Sequence, residues 1–105
     1  MRFSRNAVTP SLPSLDALTR AIRAAVSRYG KLDVLVNNAG IWRGSRVEET
    51  TVEEWDAIMD VNVKGVFLGS KLAIPEMRMA GGGSIINISS TAGIVGPPRS
   101  TAYTA

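Results

Sequence analysis

Leu32-Asp33-Val34-Leu35-Val36 is a short, β-branched, nearly continuous apolar run that stops at Asn37-Asn38-Ala39-Gly40. A strand with water on one face alternates apolar and polar residues. A near-continuous run belongs to a parallel sheet covered on both faces. Asn and Gly then mark a turn at its carboxyl end. Parallel strands need long crossovers, so the flanking segments should be helical. Ser84-Ile85-Ile86-Asn87-Ile88-Ser89-Ser90 reads as a second buried strand of the same kind.

The flanks fit. Leu15, Leu18, Ile22, Val26 and Tyr29 recur at steps of three and four, one apolar helical stripe with Arg20, Arg23 and Arg28 on the wet side. Ser14 suits the N-cap, Asp16 the positive end of the helix dipole, and Gly30 the residue after the helix. Thr51-Val52-Glu53-Glu54 is a capping box, a hydroxyl followed three residues later by a Glu. A helical pattern runs from there to about residue 80, with a break expected near Asn62 and Gly65 and a bend at Pro75. Thr91 to Ser100 reads as a Gly/Pro-containing loop, and Thr101 to Ala105 as the first turn of a helix. Residues 1–13, with Pro10 and Pro13, carry no periodic pattern and are expected to be an irregular or disordered lead-in.

Helix, strand, long helix, strand, start of helix predicts an α/β fold with right-handed crossovers: a partial Rossmann-like doubly wound parallel sheet over residues 14–105. Two strands make a thin core and leave an apolar strand edge unpaired. The chain is therefore expected to be the middle of something larger.

Composition narrows the chemistry. With no Cys and no His among 105 residues there is no disulfide framework, thiolate or imidazole metal site, or histidine base, and no metal site is expected. Proton chemistry falls to Asp, Glu, Lys or the two tyrosines, Tyr29 and Tyr103. Residues 1–46 hold eight Arg/Lys against Asp16 and Asp33, whereas residues 47–60 hold six acids and no base. The basic half suggests nucleic acid, but no aromatic residues interleave with the arginines as a stacking platform needs. Solvated helix faces are the simpler reading, and no nucleic-acid partner is expected. No apolar run nears the ~20 residues of a membrane span, and the first residues lack the apolar core of a secretory signal. No membrane partner is expected, and the cytoplasm is the expected compartment.

Four motifs then stand in order: Leu32 to Gly40; Asp60-Val61-Asn62; Gly83 to Ser90; and Tyr103, thirteen residues after Ser90. Together they resemble the short-chain dehydrogenase/reductase family over roughly residues 14–105. The resemblance implies a fragment of an NAD- or NADP-dependent oxidoreductase, running from the family's fourth strand to the start of its tyrosine helix. Such an enzyme moves a hydride between cofactor and a small alcohol or carbonyl substrate, and is expected to be a homo-oligomer at full length. By the same resemblance Asn37, Asn38, Ala39 and Gly40 shape the adenine side of the cofactor pocket and tie the central strands together. Asn62 is the helix-kink asparagine that holds a water. Ser90 hydrogen-bonds the substrate oxygen, and Tyr103 is the general acid/base.

Each residue has a plainer reading. Asn-Asn-Ala-Gly taken alone is a turn, Asn62 a helix breaker, and Ser90 a strand-end cap. Ser89 competes with Ser90, and the spacing to Tyr103 favours Ser90. Gly93, Gly96, Pro97 and Pro98 are either a pocket loop or a connector. Trp42 and Trp55 read as packing residues, with Trp42 also a candidate for the pocket mouth. Two departures from the family pattern stand out. A phenol titrates near ~10 and needs a cation beside it to work at neutral pH; the family's lysine would fall at position 107. No Gly-rich phosphate turn precedes Gly30. The isolated chain is accordingly expected to be inactive. The alternative is a non-catalytic truncated module that pairs through its exposed strand edge.

Overall fold

The computed structural model describes residues 14–105; the lead-in expected over residues 1–13 lies outside them. Helix α1, Leu15–Tyr29, starts where Ser14 Oγ accepts the Ala17 N–H at 3.1 Å, which satisfies one of the free first-turn amides. It ends where the left-handed Gly30 returns its N–H to the Val26 carbonyl at 2.7 Å.

Strands β1, Val34–Asn37, and β2, Ser84–Asn87, pair in parallel with Val34 opposite Ser84 and Asn37 opposite Asn87. Both are shorter than the apolar runs that announce them. The ladder nevertheless extends one residue each way, through Ser84 N–H to the Asp33 carbonyl at 2.8 Å and Ile88 N–H to the Asn37 carbonyl at 3.0 Å.

The expected burial of both faces is corrected. Helix α3, Gly65–Met79, packs on β1, and α1 packs on α3 rather than on the strands. Side chains alternate across a strand, so Val34 and Val36 are left on the other face, 51% and 50% exposed. α3 comes close: a Cβ at Gly69 would lie 2.6 Å from Asn37 Oδ1.

Helix α2, Val52–Met59, is capped by Thr51, whose Oγ1 accepts the Glu54 N–H at 3.1 Å. The break expected near Asn62 and Gly65 is not a break. Asp60–Lys64 forms a π-helical turn between α2 and α3, with the Gly65 N–H reaching back to the Asp60 carbonyl. The extra residue in one turn shifts the face that follows without interrupting the helix. Pro75 lies inside α3, where it removes one amide donor.

The expected loop from Thr91 to Ser100 contains one helical turn, α4, Ala92–Val95, and the chain ends in α5, Thr101–Thr104. A parallel bridge between Ser45 and Ser100 ties the segment after β1 to the segment before α5. The core is small: Ile58, Val61, Ala73, Met77, Ala92 and Ala102. Among the described residues no helix is long and apolar enough to cross a membrane.

Candidate functional site

Two clefts lie beyond the carboxyl ends of the two strands, the place where open parallel sheets take ligands. The first follows β1. Asn37 Nδ2 donates to Asn87 Oδ1 at 2.9 Å and, more weakly, to Ser70 Oγ at 3.4 Å. One side chain thus ties the ends of both strands to α3. Next to it is a groove of about 70 Å³ bordered by Val36, Asn37, Asn38, Ala39, Val61 and Val66. Gly40 lies outside this lining. A Cβ there would meet Asn62 Oδ1 at 3.7 Å, an ordinary contact.

Asn62 lies in the π-helical turn and reaches across to Ile41. Its Oδ1 accepts the Ile41 N–H at 2.8 Å and its Nδ2 donates to the Ile41 carbonyl at 2.9 Å. A carboxamide carries its donor and its acceptor on two separate atoms, so it can hold the N–H and the carbonyl of one backbone residue at once. One N–H and one lone pair of Asn62 remain after this clamp.

The second cleft, about 360 Å³, follows β2 and is lined by Ser90, Thr91, Ala92, Val95, Pro97, Ser100, Tyr103 and Trp42. Ser90 and Tyr103, thirteen residues apart, share it because the chain turns through α4 and Pro97-Pro98 before α5 begins. Ser90 Oγ accepts the Ala92 N–H at 3.1 Å, which leaves its own proton free to donate.

None of the eight lining residues carries a charge. Lys31 pairs with Asp33 at 3.0 Å, Lys64 with Asp60 at 3.1 Å, and Lys71 lies over the Phe67 ring at 5.8 Å. Among the described residues, no lysine is brought beside Tyr103. No group of three or more His, Cys, Asp or Glu gathers as metal ligands among them either.

The structure brings Ser90 and Tyr103 together, and Asn37, Asn38 and Ala39 together. It places Asn62 on neither wall, acting instead on the backbone that leads into Trp42. Two residues at the site escaped the sequence reading. Asn87 had a signal, a second asparagine at the matching strand end. Ser100, 5% exposed, had none. Trp42, read from the sequence as a packing residue or a candidate for the pocket mouth, lines the second cleft.

Parallel strands with clefts beyond their carboxyl ends define a Rossmann-like α/β protein. Within that class the chain belongs to the short chain dehydrogenase family, whose match runs over residues 5–105. It is 52% identical over 90 residues to trans-4-hydroxycyclohexanecarboxylate dehydrogenase of Sinomonas cyclohexanicum, an alignment covering 86% of this chain and 34% of that protein. It is 43% identical over 90 residues to the 3-oxoacyl-[acyl-carrier-protein] reductase FabG of Thermotoga maritima, covering 86% of this chain and 37% of that protein. To cyclopentanol dehydrogenase of Comamonas sp. it is 46% identical over 87 residues, covering 83% of this chain and 35% of that protein. The chain spans about a third of the length of these curated relatives.

Proposed function

We propose that this chain carries the proton-transfer and substrate-orienting part of an NAD- or NADP-dependent oxidoreductase acting on a small alcohol or its carbonyl. The observation that carries the reading is the shared cleft of Ser90 and Tyr103 beyond the end of β2. Two relatives are named for alicyclic alcohols, the first of which is also a carboxylate; Trp42, Ala92, Val95 and Pro97 give the cleft apolar wall for such a ring.

The groove beside Asn37, Asn38 and Ala39 combines flat apolar walls with amide donors and acceptors, the mixture a purine edge takes. Those residues would hold the adenine side of a nicotinamide dinucleotide, which when bound supplies the hydride chemistry. Ser90 Oγ donates to the substrate oxygen while the Ala92 N–H fixes its lone pair. Tyr103 Oη gives a proton to that oxygen in reduction and takes it in oxidation. Asn62 offers its remaining N–H and lone pair to a water.

The test is a chimera of the Sinomonas relative in which the matching 90-residue stretch is replaced by this sequence. It should oxidise an alicyclic alcohol, with turnover falling roughly 100-fold or more in Tyr103→Phe and Ser90→Ala. A folded, dinucleotide-binding chimera indifferent to Tyr103→Phe overturns the assignment. The 105-residue chain alone should show no NADH or NADPH oxidation with a carbonyl, since no described lysine reaches the cleft. Steady turnover abolished by Tyr103→Phe would show that another cation serves.

A second reading, a non-catalytic truncated module pairing through its exposed strand edge, is favoured by the half-exposed Val34, Val36, Ile86 and Ile88 beside that edge. Concentration-dependent sedimentation supports it; a strict monomer removes it.

A further inference from the structure

Trp42 lines the Ser90–Tyr103 cleft, yet it is 60% exposed. A tryptophan serving the core would lie largely buried. This one is nonetheless held firmly. Its Nε1–H donates to Ser100 Oγ at 3.2 Å. Ser100 is itself buried, and its hydroxyl faces the Pro98 carbonyl at 3.5 Å. The six-membered ring lies over Gly44, where a Cβ would come within 2.9 Å of Cζ2 and Cη2. The loop beneath is braced by the Ser45–Ser100 bridge and by Thr101 Oγ1, which donates to the Ser45 carbonyl at 3.2 Å. The indole is thus fixed at its N–H and at its far edge, with much of its surface left open.

Resting on the oxidoreductase reading, we propose that Trp42 is the specificity-determining wall of this cleft. It receives a compact, uncharged alcohol or ketone whose ring lies flat against the indole, and Gly44 and Ser100 act as its positioning residues. A saturated ring presents a preformed flat area to a flat aromatic face and loses no internal rotation on binding, whereas an open chain of equal carbon number must freeze several bonds. A charged substrate would lose water here and meet no counter-charge on the cleft wall. The volume, about 360 Å³, is at the lower end for small-molecule sites and favours a compact ring over an extended one.

The experiment follows the Trp42 indole N–H by nitrogen-15 NMR in the full chain, assigned through Trp55→Phe, while cyclohexanol or an open-chain secondary alcohol of equal carbon number is titrated. Cyclohexanol should move the resonance saturably, with a half-saturation concentration roughly fivefold or more below that of the open-chain alcohol. Trp42→Phe, compared through the Ala92 amide, keeps a ring face but loses the Ser100 anchor, and should erode the preference without abolishing it. Gly44→Ala, which displaces the indole, and Ser100→Ala, which frees its N–H, should each erode it. For Trp42→Ala the two alcohols are compared through the Ala92 amide, and the preference should vanish. No saturable shift, equal half-saturation for the two alcohols, or a preference untouched by Gly44→Ala and Ser100→Ala each overturns the proposal. Tyr103→Phe and Ser90→Ala separate the two readings. If neither weakens cyclohexanol binding, the oxidoreductase assignment fails while the ring preference of Trp42 stands.

Discussion

The ends of β1 and β2 use polar side chains in opposite ways. Beyond β1 the working groups are carboxamides, and they are spent on the protein itself: Asn37 on Asn87 and Ser70, Asn62 on both polar groups of Ile41. Beyond β2 they are hydroxyls on an open cleft wall, and Ser90 keeps its proton free. A carboxamide donates and accepts at once, so it can lock backbone from a single anchor. A hydroxyl has one proton to give, and an amide bonded to one of its two lone pairs leaves that proton free to donate. The carboxamide bonds of the first region hold the framework, while in the second the Ser90 proton stays free on the cleft wall.

Substitution should separate the two regions by readout. Tyr103→Phe removes one exchangeable proton from the second region. It should leave urea unfolding of the full chain within about 0.5 kcal/mol of the parent, against the large loss of turnover expected in the chimera. A comparable loss of stability would break the contrast.

Asn62→Leu should give the largest stability effect. It leaves the Ile41 N–H and carbonyl without their partner, at about 2–4 kcal/mol for two part-buried groups. Asn62→Asp keeps the acceptor and should lose less. Equal losses in the two variants would show that the clamp works through packing rather than hydrogen bonding.

Gly69→Ala should cost about 1–3 kcal/mol. Alanine normally gains up to about 1 kcal/mol over glycine within a helix, but here the new methyl meets Asn37 Oδ1 at 2.6 Å. Asn37 is bonded to β2 and α3 and has little room to retreat. A stabilised Gly69→Ala would show that the Asn37 bonds yield easily. Thr51→Ala, which lines neither cleft, should cost about 1 kcal/mol through loss of the α2 cap and sets the scale for a purely local effect.

Arg99 should give the smallest change. It lies in the second region at φ 58°, a left-handed conformation that L residues other than Asn and Asp seldom adopt. Arg99→Gly relieves that strain but gives up the exposed contact to Glu49 at 3.6 Å and adds unfolded-state entropy. The net should lie within about 0.5 kcal/mol.

By itself the sequence determined whatever is decided within a turn or two of chain. The Ser14 and Thr51 caps and the Gly30 stop follow from spacing and residue type, because those hydrogen bonds close within three or four residues; the two strands and their helical crossover follow from the period of the apolar residues. The parallel pairing follows from the chain order, whereas Ser90 and Tyr103 are linked by the family resemblance, the thirteen-residue interval only favouring Ser90 over Ser89. Only the tertiary structure decided the rest. The asparagine that marks the helix irregularity spends its amide on Ile41, 21 residues back. Trp42 is held by Ser100, 58 residues on. One face of β1 stays open because α1 packs on α3 instead of on the sheet. Each depends on where two distant segments meet once α3 has crossed the sheet, and an amide or an indole carries the same pattern in the sequence whichever partner it finds there.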